Sequence, residues 1–202
     1  MKQMLLVATG ALGLLTSCGS FGAAPDGSAN ARVSGVSTEY TLSGTSPAQY
    51  VGCDVITNPT DTTRATSTQV VVTFAAAGSI SKVDVTLRGT TSSQYDETQT
   101  IQGSGLVRDA NGDYKAVFDF RSATGDYLPA SIVVSPTPPA IRTVKPVTVN
   151  TTDRVGSFYA DLKVYTTTGA AFTITSKNLG STGNIAVYRN CTLANTAQPL
   201  NR

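Results

Sequence analysis

Apolar and polar residues alternate with a period of two through most of this chain. Val70, Val72 and Phe74 share one side of a run, and Val83, Val85 and Leu87 share one side of the next. Lys82, Asp84, Thr86 and Arg88 occupy the intervening positions of that second run. Successive side chains of a strand point to opposite faces, so each run predicts a half-buried β-strand. Gly78-Ser79 between the two reads as a hairpin loop. Further on, Tyr114, Ala116, Phe118 and Phe120 alternate with Lys115, Val117, Asp119 and Arg121. Phe158, Ala160, Leu162 and Val164 then alternate with Tyr159, Asp161, Lys163 and Tyr165. Thr167-Thr168-Gly169 separates that run from Phe172 and Ile174, and Ile185 and Val187 lead a last run into Cys191. Asn111-Gly112 predicts a type I′ turn, because both residues accept positive φ at low cost.

These runs number on the order of ten, with turn residues between them and no apolar stripe at helical spacing. The expected fold is all-β: an antiparallel β-sandwich, Ig-like or related, or alternatively a partly open β-barrel. Residues 135–146 carry four prolines. Proline cannot donate to a central ladder, so this stretch reads as an edge crossing or a long connection. A single domain over residues 32–195 with a tail at 196–202 is the expected organisation, and no internal repeat is evident.

Composition narrows the chemistry. The chain has no His, which removes His-based triads, His general bases and His-ligated metal sites. It has no Trp, which weakens the case for sugar binding on a large aromatic platform. The 15 basic and 13 acidic residues nearly balance, so nothing points to nucleic acid or to a polybasic membrane patch. No Gly-x-Ser-x-Gly elbow, phosphate loop, dinucleotide fingerprint or Cys-x-x-Cys pair follows residue 18.

The N-terminus carries a separate signal. Lys2 precedes an apolar segment over residues 4–15, which is too short to cross a bilayer against the roughly 20 residues a helix needs. It ends in Leu15-Thr16-Ser17-Cys18. This resembles the lipobox of a bacterial lipoprotein signal peptide, and the resemblance covers about residues 1–20. It implies removal of residues 1–17 and a diacylglycerol plus an N-acyl chain on Cys18. Two or more chains anchor a protein stably where one does so only marginally. Gly19, in place of Asp, then favours the outer membrane, or the outer face of the cytoplasmic membrane in a single-membrane organism. Residues 18–31, rich in Gly, Ala and Ser, read as the lipidated cysteine and a flexible tether.

With Cys18 assigned to lipid, Cys53 and Cys191 remain, and an even pair in an exported chain reads as a disulfide. Reactive thiols are the other reading, but Val51, Cys53 and Val55 form a buried-looking alternation. Asp109, Asn111 and Asp113 mimic the opening of a calcium loop. The Gly and Glu that an EF-hand needs are misplaced, so a turn explains them better and no metal is expected. Asp96-Glu97 cannot pair as glycosidase carboxylates, because adjacent strand residues face opposite ways. Tyr159 and Tyr165 fall on the polar face of their strand, as a partner surface would place them. The expected function is a structural or protein-interaction role in the envelope, without catalysis and with no cofactor beyond the lipid. The partners expected are the membrane and another envelope protein, not nucleic acid. A small-ligand or polysaccharide-binding module and a carboxylate-based hydrolase are the alternatives.

Overall fold

A computed structural model describes residues 20–60, 64–65, 67–90, 96–121 and 140–195. They form thirteen strands in two sheets: β1 (Phe21–Ala23), β2 (Ala29–Thr38), β3 (Tyr40–Leu42), β4 (Tyr50–Thr57), β5 (Arg64–Ala65), β6 (Ser67–Gly78), β7 (Ile80–Gly89), β8 (Glu97–Gln102), β9 (Tyr114–Arg121), β10 (Lys145–Val149), β11 (Arg154–Thr166), β12 (Ala171–Thr175) and β13 (Asn184–Leu193). The first sheet has the order β1-β2-β6-β9. The second runs β5-β4-β3-β10-β13-β11-β7-β8, with β12 added on β11. No α-helix occurs among the described residues, and the fold is all-β.

The alternating runs supply the core between the sheets. Val70, Val72 and Phe74 of β6 face Val83, Val85 and Leu87 of β7 and Phe158, Leu162 and Val164 of β11, all fully buried in one cluster. A second cluster lies at one end of the larger sheet. There β3 pairs with β4 and β10, and β13 pairs with the same two strands, so four strands close a ring. Tyr40, Val51, Ile56 and Val147 are fully buried in that cluster, together with Cys53 and Cys191. Sandwich and partial barrel thus meet in one fold.

Three sequence expectations change. Gly78-Ser79 is not a hairpin loop: β6 belongs to the first sheet and β7 to the second, so the turn carries the chain between layers. Both strands present one apolar face, which a hairpin and an inter-sheet corner satisfy equally. The expected tether is not a tether from Ser20 onward. Phe21–Ala23 is β1, paired antiparallel with β2, and Ser20 is buried with its carbonyl accepting from Val33 N at 2.7 Å. Its small residues serve packing: a Cβ on Gly22 would stand 2.7 Å from Ile174 Cγ2 and 3.0 Å from Phe172 Cδ2 of β12. Pro146 lies within β10, between β3 and β13, rather than on an edge crossing. Its missing N–H is tolerated in a five-residue strand, and its carbonyl accepts from Ala194 N at 3.0 Å. Residues 135–139 and the tail at 196–202 lie outside the described residues.

Candidate functional site

The outer face of the second sheet is a ladder of polar side chains from β12, β11, β7 and β8. The alternation that buries Phe158 and Leu162 turns Tyr159, Asp161, Lys163 and Tyr165 outward. The antiparallel register sets Tyr159 opposite Arg88, Asp161 opposite Thr86, Lys163 opposite Asp84 and Tyr165 opposite Lys82. Arg88 bridges two carboxylates, donating Nε to Asp161 Oδ2 at 2.6 Å and Nη1 to Asp96 Oδ2 at 2.9 Å. Asp96 also accepts from Gly89 N at 3.1 Å. Lys82 contacts Asp84 at 3.3 Å, and Thr100 donates to the other oxygen of Asp84 at 2.7 Å. Some burial works against the charge of Asp84, but the hydrogen bonds from Thr100 and Lys82 outweigh it and hold the carboxyl below its ordinary range.

Both tyrosine rings sit under ammonium groups. Lys82 Nζ lies 4.2 Å and Lys163 Nζ 5.0 Å from the Tyr165 centroid, and Lys177 Nζ lies 5.3 Å from that of Tyr159. Such contacts contribute about 0.5–1 kcal/mol each at exposed sites and restrict the rings. Partial burial and then the Asp161 carboxylate push the Tyr159 phenol above its usual range, so it remains a hydrogen-bond donor at neutral pH. The two tyrosines are six residues apart on one strand, about 20 Å.

Cys53 and Cys191 are joined in a disulfide with a Cα–Cα distance of 5.9 Å. In the parallel β4–β13 pair Cys53 stands opposite Tyr188, while Cys191 stands opposite Ile56. In a flat pair that offset would separate the two Cα atoms by about 11 Å, so the 5.9 Å observed means that the two strands depart from a flat ladder here. Cys18 lies outside the described residues. Asp109 acts as a turn acceptor: Oδ1 receives Asn111 N at 2.9 Å and Asp113 N at 3.1 Å, and Oδ2 pairs with Lys115 at 2.8 Å. The turn is not the two-residue I′ type. Gly112 N bonds Asp109 O at 3.0 Å, and Gly112 follows with φ +85°, because Asp109 offers its side chain as the local acceptor. Among the described residues no cluster of three or more His, Cys, Asp or Glu has metal-binding geometry.

Two features had no sequence signal. The first is an apolar cleft of about 360 Å³ beside β9, lined by Ile101, Leu106, Val107, Val117 and Ile141 with Arg108, Asp109 and Lys115. Val107 is 78% exposed, more than any packed strand residue would be. The second is a charged cluster around Glu39, which is 2% exposed. Arg142 reaches Glu39 Oε2 at 3.2 Å and Asp119 Oδ1 at 3.1 Å. Gln69 accepts from Arg142 N at 2.7 Å and donates to Ala140 O at 3.0 Å. Lys145 is also buried, at 5% exposure, and its Nζ makes no hydrogen bond. Burial pushes its ammonium pKa down, against the attraction of Glu39. These residues pin the chain entering β10 onto the first sheet, a structural task.

Comparison with protein-family models, curated proteins and solved structures finds no match.

Proposed function

We propose that this protein is an envelope lipoprotein anchored through Cys18, whose β domain binds another envelope protein and catalyses no reaction. The observation that carries the reading is the Tyr159–Tyr165 face. It is preordered by lysine and arginine contacts and bears residue types that dominate interface energetics. Its two tyrosines, about 20 Å apart, fit within a standard footprint of roughly 800 Å² per partner. Arg88 and Lys82 are paired with carboxylates, while Lys163 and Lys177 lie over the tyrosine rings and leave the face positive charge to offer an acidic partner. The lipobox supports the anchor, and Gly19 supports the outer membrane as its site.

The test is capture of the protein from gently solubilised envelopes after cross-linking, with mass spectrometry of bait and companions. Wild type is expected to carry lipid on Cys18 and to bring down one stoichiometric protein, and Tyr159→Ser/Tyr165→Ser is expected to lose it. Equal recovery by the double variant would refute the face as the binding surface. A second reading, an apolar-ligand module, rests on the cleft beside β9, whose volume lies in the range of small-molecule sites. Enrichment of one apolar small molecule in native mass spectra, abolished by Val107→Asp, would favour it.

A further inference from the structure

We infer that the outer face of the first sheet around Phe21 is a membrane-docking surface, which holds the domain flat on the lipid headgroups. The inference rests on lipidation of Cys18 as proposed above. Its starting point is the missing tether. Ser20 is buried and bonded to β2, so only two residue steps separate the anchor from the packed fold. Two such steps span at most about 7 Å between Cα atoms. The headgroup band of one leaflet is about 5–8 Å thick. The β1 edge must therefore lie at headgroup level, and whatever faces the lipid there is part of the interface.

The residues on that side fit the location. Phe21 is 41% exposed, although it is a large apolar side chain in a paired strand. The register sets it opposite Arg32, and Arg32 in turn opposite Ala75 of β6, all on the outward side of the sheet. With Ala77 and Arg108 these residues line a shallow trough of about 370 Å³. An exposed aromatic ring flanked by arginines matches the side chains that populate bilayer interfaces, the ring at the acyl boundary and the guanidinium groups on phosphates. Among the described residues Arg32 makes no ion pair. Arg108 is turned toward the Tyr114 hydroxyl and the Ala76 carbonyl rather than toward a carboxylate. Asp109, the nearest acid in sequence, is held by Lys115. The trough thus keeps positive charge for an anionic surface.

The chain contains no Trp, so a single introduced one is an unambiguous reporter. Full-length lipidated protein carrying Phe21→Trp would be placed in vesicles of phosphatidylglycerol and phosphatidylethanolamine containing brominated lipid. Tyr165→Trp on the opposite sheet is the control, and mass spectrometry verifies the lipid on Cys18. Phe21→Trp emission is expected to shift to the blue and lose most of its intensity to the bromine, while Tyr165→Trp remains unchanged. Adding Arg32→Glu is expected to reverse the shift in these anionic vesicles while the anchor persists. If the lipidated Phe21→Trp protein emits as its lipid-free Cys18→Ser counterpart does, the docking surface is overturned and the anchor left standing. Absence of lipid on Cys18 would overturn the anchor and the docking together. Shielding of the reporter in lipid-free Cys18→Ser protein, growing with protein concentration, would assign the trough to a second copy and overturn the inference.

Discussion

Replacing Lys145 by Met should stabilise the protein, although it removes a charge from a charged cluster. Lys145 is 5% exposed and its Nζ lacks a hydrogen bond. A buried donor left unsatisfied costs about 1–3 kcal/mol. Removing one member of a buried ion pair would ordinarily cost about 3–5 kcal/mol by stranding the other. That cost is much reduced here, because Glu39 keeps Arg142 at 3.2 Å, although Arg142 also serves Asp119 at 3.1 Å. Met preserves most of the stem, so the cavity term is small. The balance is a gain of about 1–2 kcal/mol near neutral pH, from the lower part of that hydrogen-bond penalty, or about 2–4 °C in Tm per kcal/mol for a domain of this size. The effect depends on pH with a definite sign. The folded-state pKa of Lys145 lies below its ordinary value, so the unfolded chain binds the proton more tightly. Wild-type stability therefore rises, relative to the variant, as pH climbs through the folded pKa toward about 10.4. Urea unfolding of both proteins at neutral pH and near pH 9.5 measures the gap, and other titrating groups cancel in the difference. A variant that is less stable at neutral pH, with a gap that does not change at high pH, would show that Lys145 is a satisfied partner of Glu39 and refute the reasoning.

Three other outcomes are expected. Cys53→Ala/Cys191→Ala should lose about 5 kcal/mol from loop closure over 138 positions, read as a fall in the urea midpoint; a loss under about 2 kcal/mol would mean the bridge adds little. Gly78→Ala should destabilise by about 1–3 kcal/mol, more than Gly112→Ala, because its φ is +100° and a Cβ would stand 2.6 Å from Ala29 Cα, whereas Gly112 opens to empty space; equal losses in thermal melts would leave the collision without effect. Hydrogen bonds from the Ser28 and Thr168 hydroxyls hold the Asp26 carboxyl at about 2, so its stabilisation is full above its ordinary pKa of 3.8 and lost as pH falls through about 2; an Asp26→Asn protein should lose its stability deficit over that window, and a constant deficit would contradict the assignment.

The parts of the fold legible in sequence are those whose strands bury one face against the other sheet. β7 and β11 alternate cleanly because Val85 and Leu162 meet the core while their neighbours are half-buried or exposed; β6 and β9 keep the period at Val72 and Ala116, although Val71 and Val117, paired on the other face, are buried as well. β1 was hidden by the same small residues that let it fit: Gly22 lacks a Cβ because Ile174 occupies that space, and a run of Gly and Ala looks the same in a tether. β3 and β10 were hidden because each is short and begins beside a buried charge, Glu39 or Lys145, which local patterning assigns to solvent. The Glu39–Arg142 contact joins positions 103 apart, and no local window links them. The tyrosine face needed only period two, so Tyr159 and Tyr165 were legible. Their lysine neighbours were partly so: Lys163 shares their strand, while Lys82 and Lys177 come from elsewhere in the chain.

The two proposed surfaces constrain each other through the sandwich itself. Phe21 and Arg32 lie on the outward side of the first sheet, and Tyr159 and Tyr165 on the outward side of the second. Packed sheets are about 10 Å apart, so one surface cannot meet the membrane without the other facing away from it. A lipid-bound domain lying on Phe21 presents the tyrosine ladder parallel to the bilayer and clear of the headgroups, open to a partner approaching from solvent. A long tether would leave that orientation to chance, whereas the proposed anchor on Cys18, two residues before a buried Ser20, would keep β1 within about 7 Å of it. The prediction that separates the two arrangements is the lipid dependence of binding. If orientation matters, the anchored protein should capture its partner more efficiently than the Cys18→Ser form at equal concentration, and Arg32→Glu should erode that advantage without altering the tyrosine face.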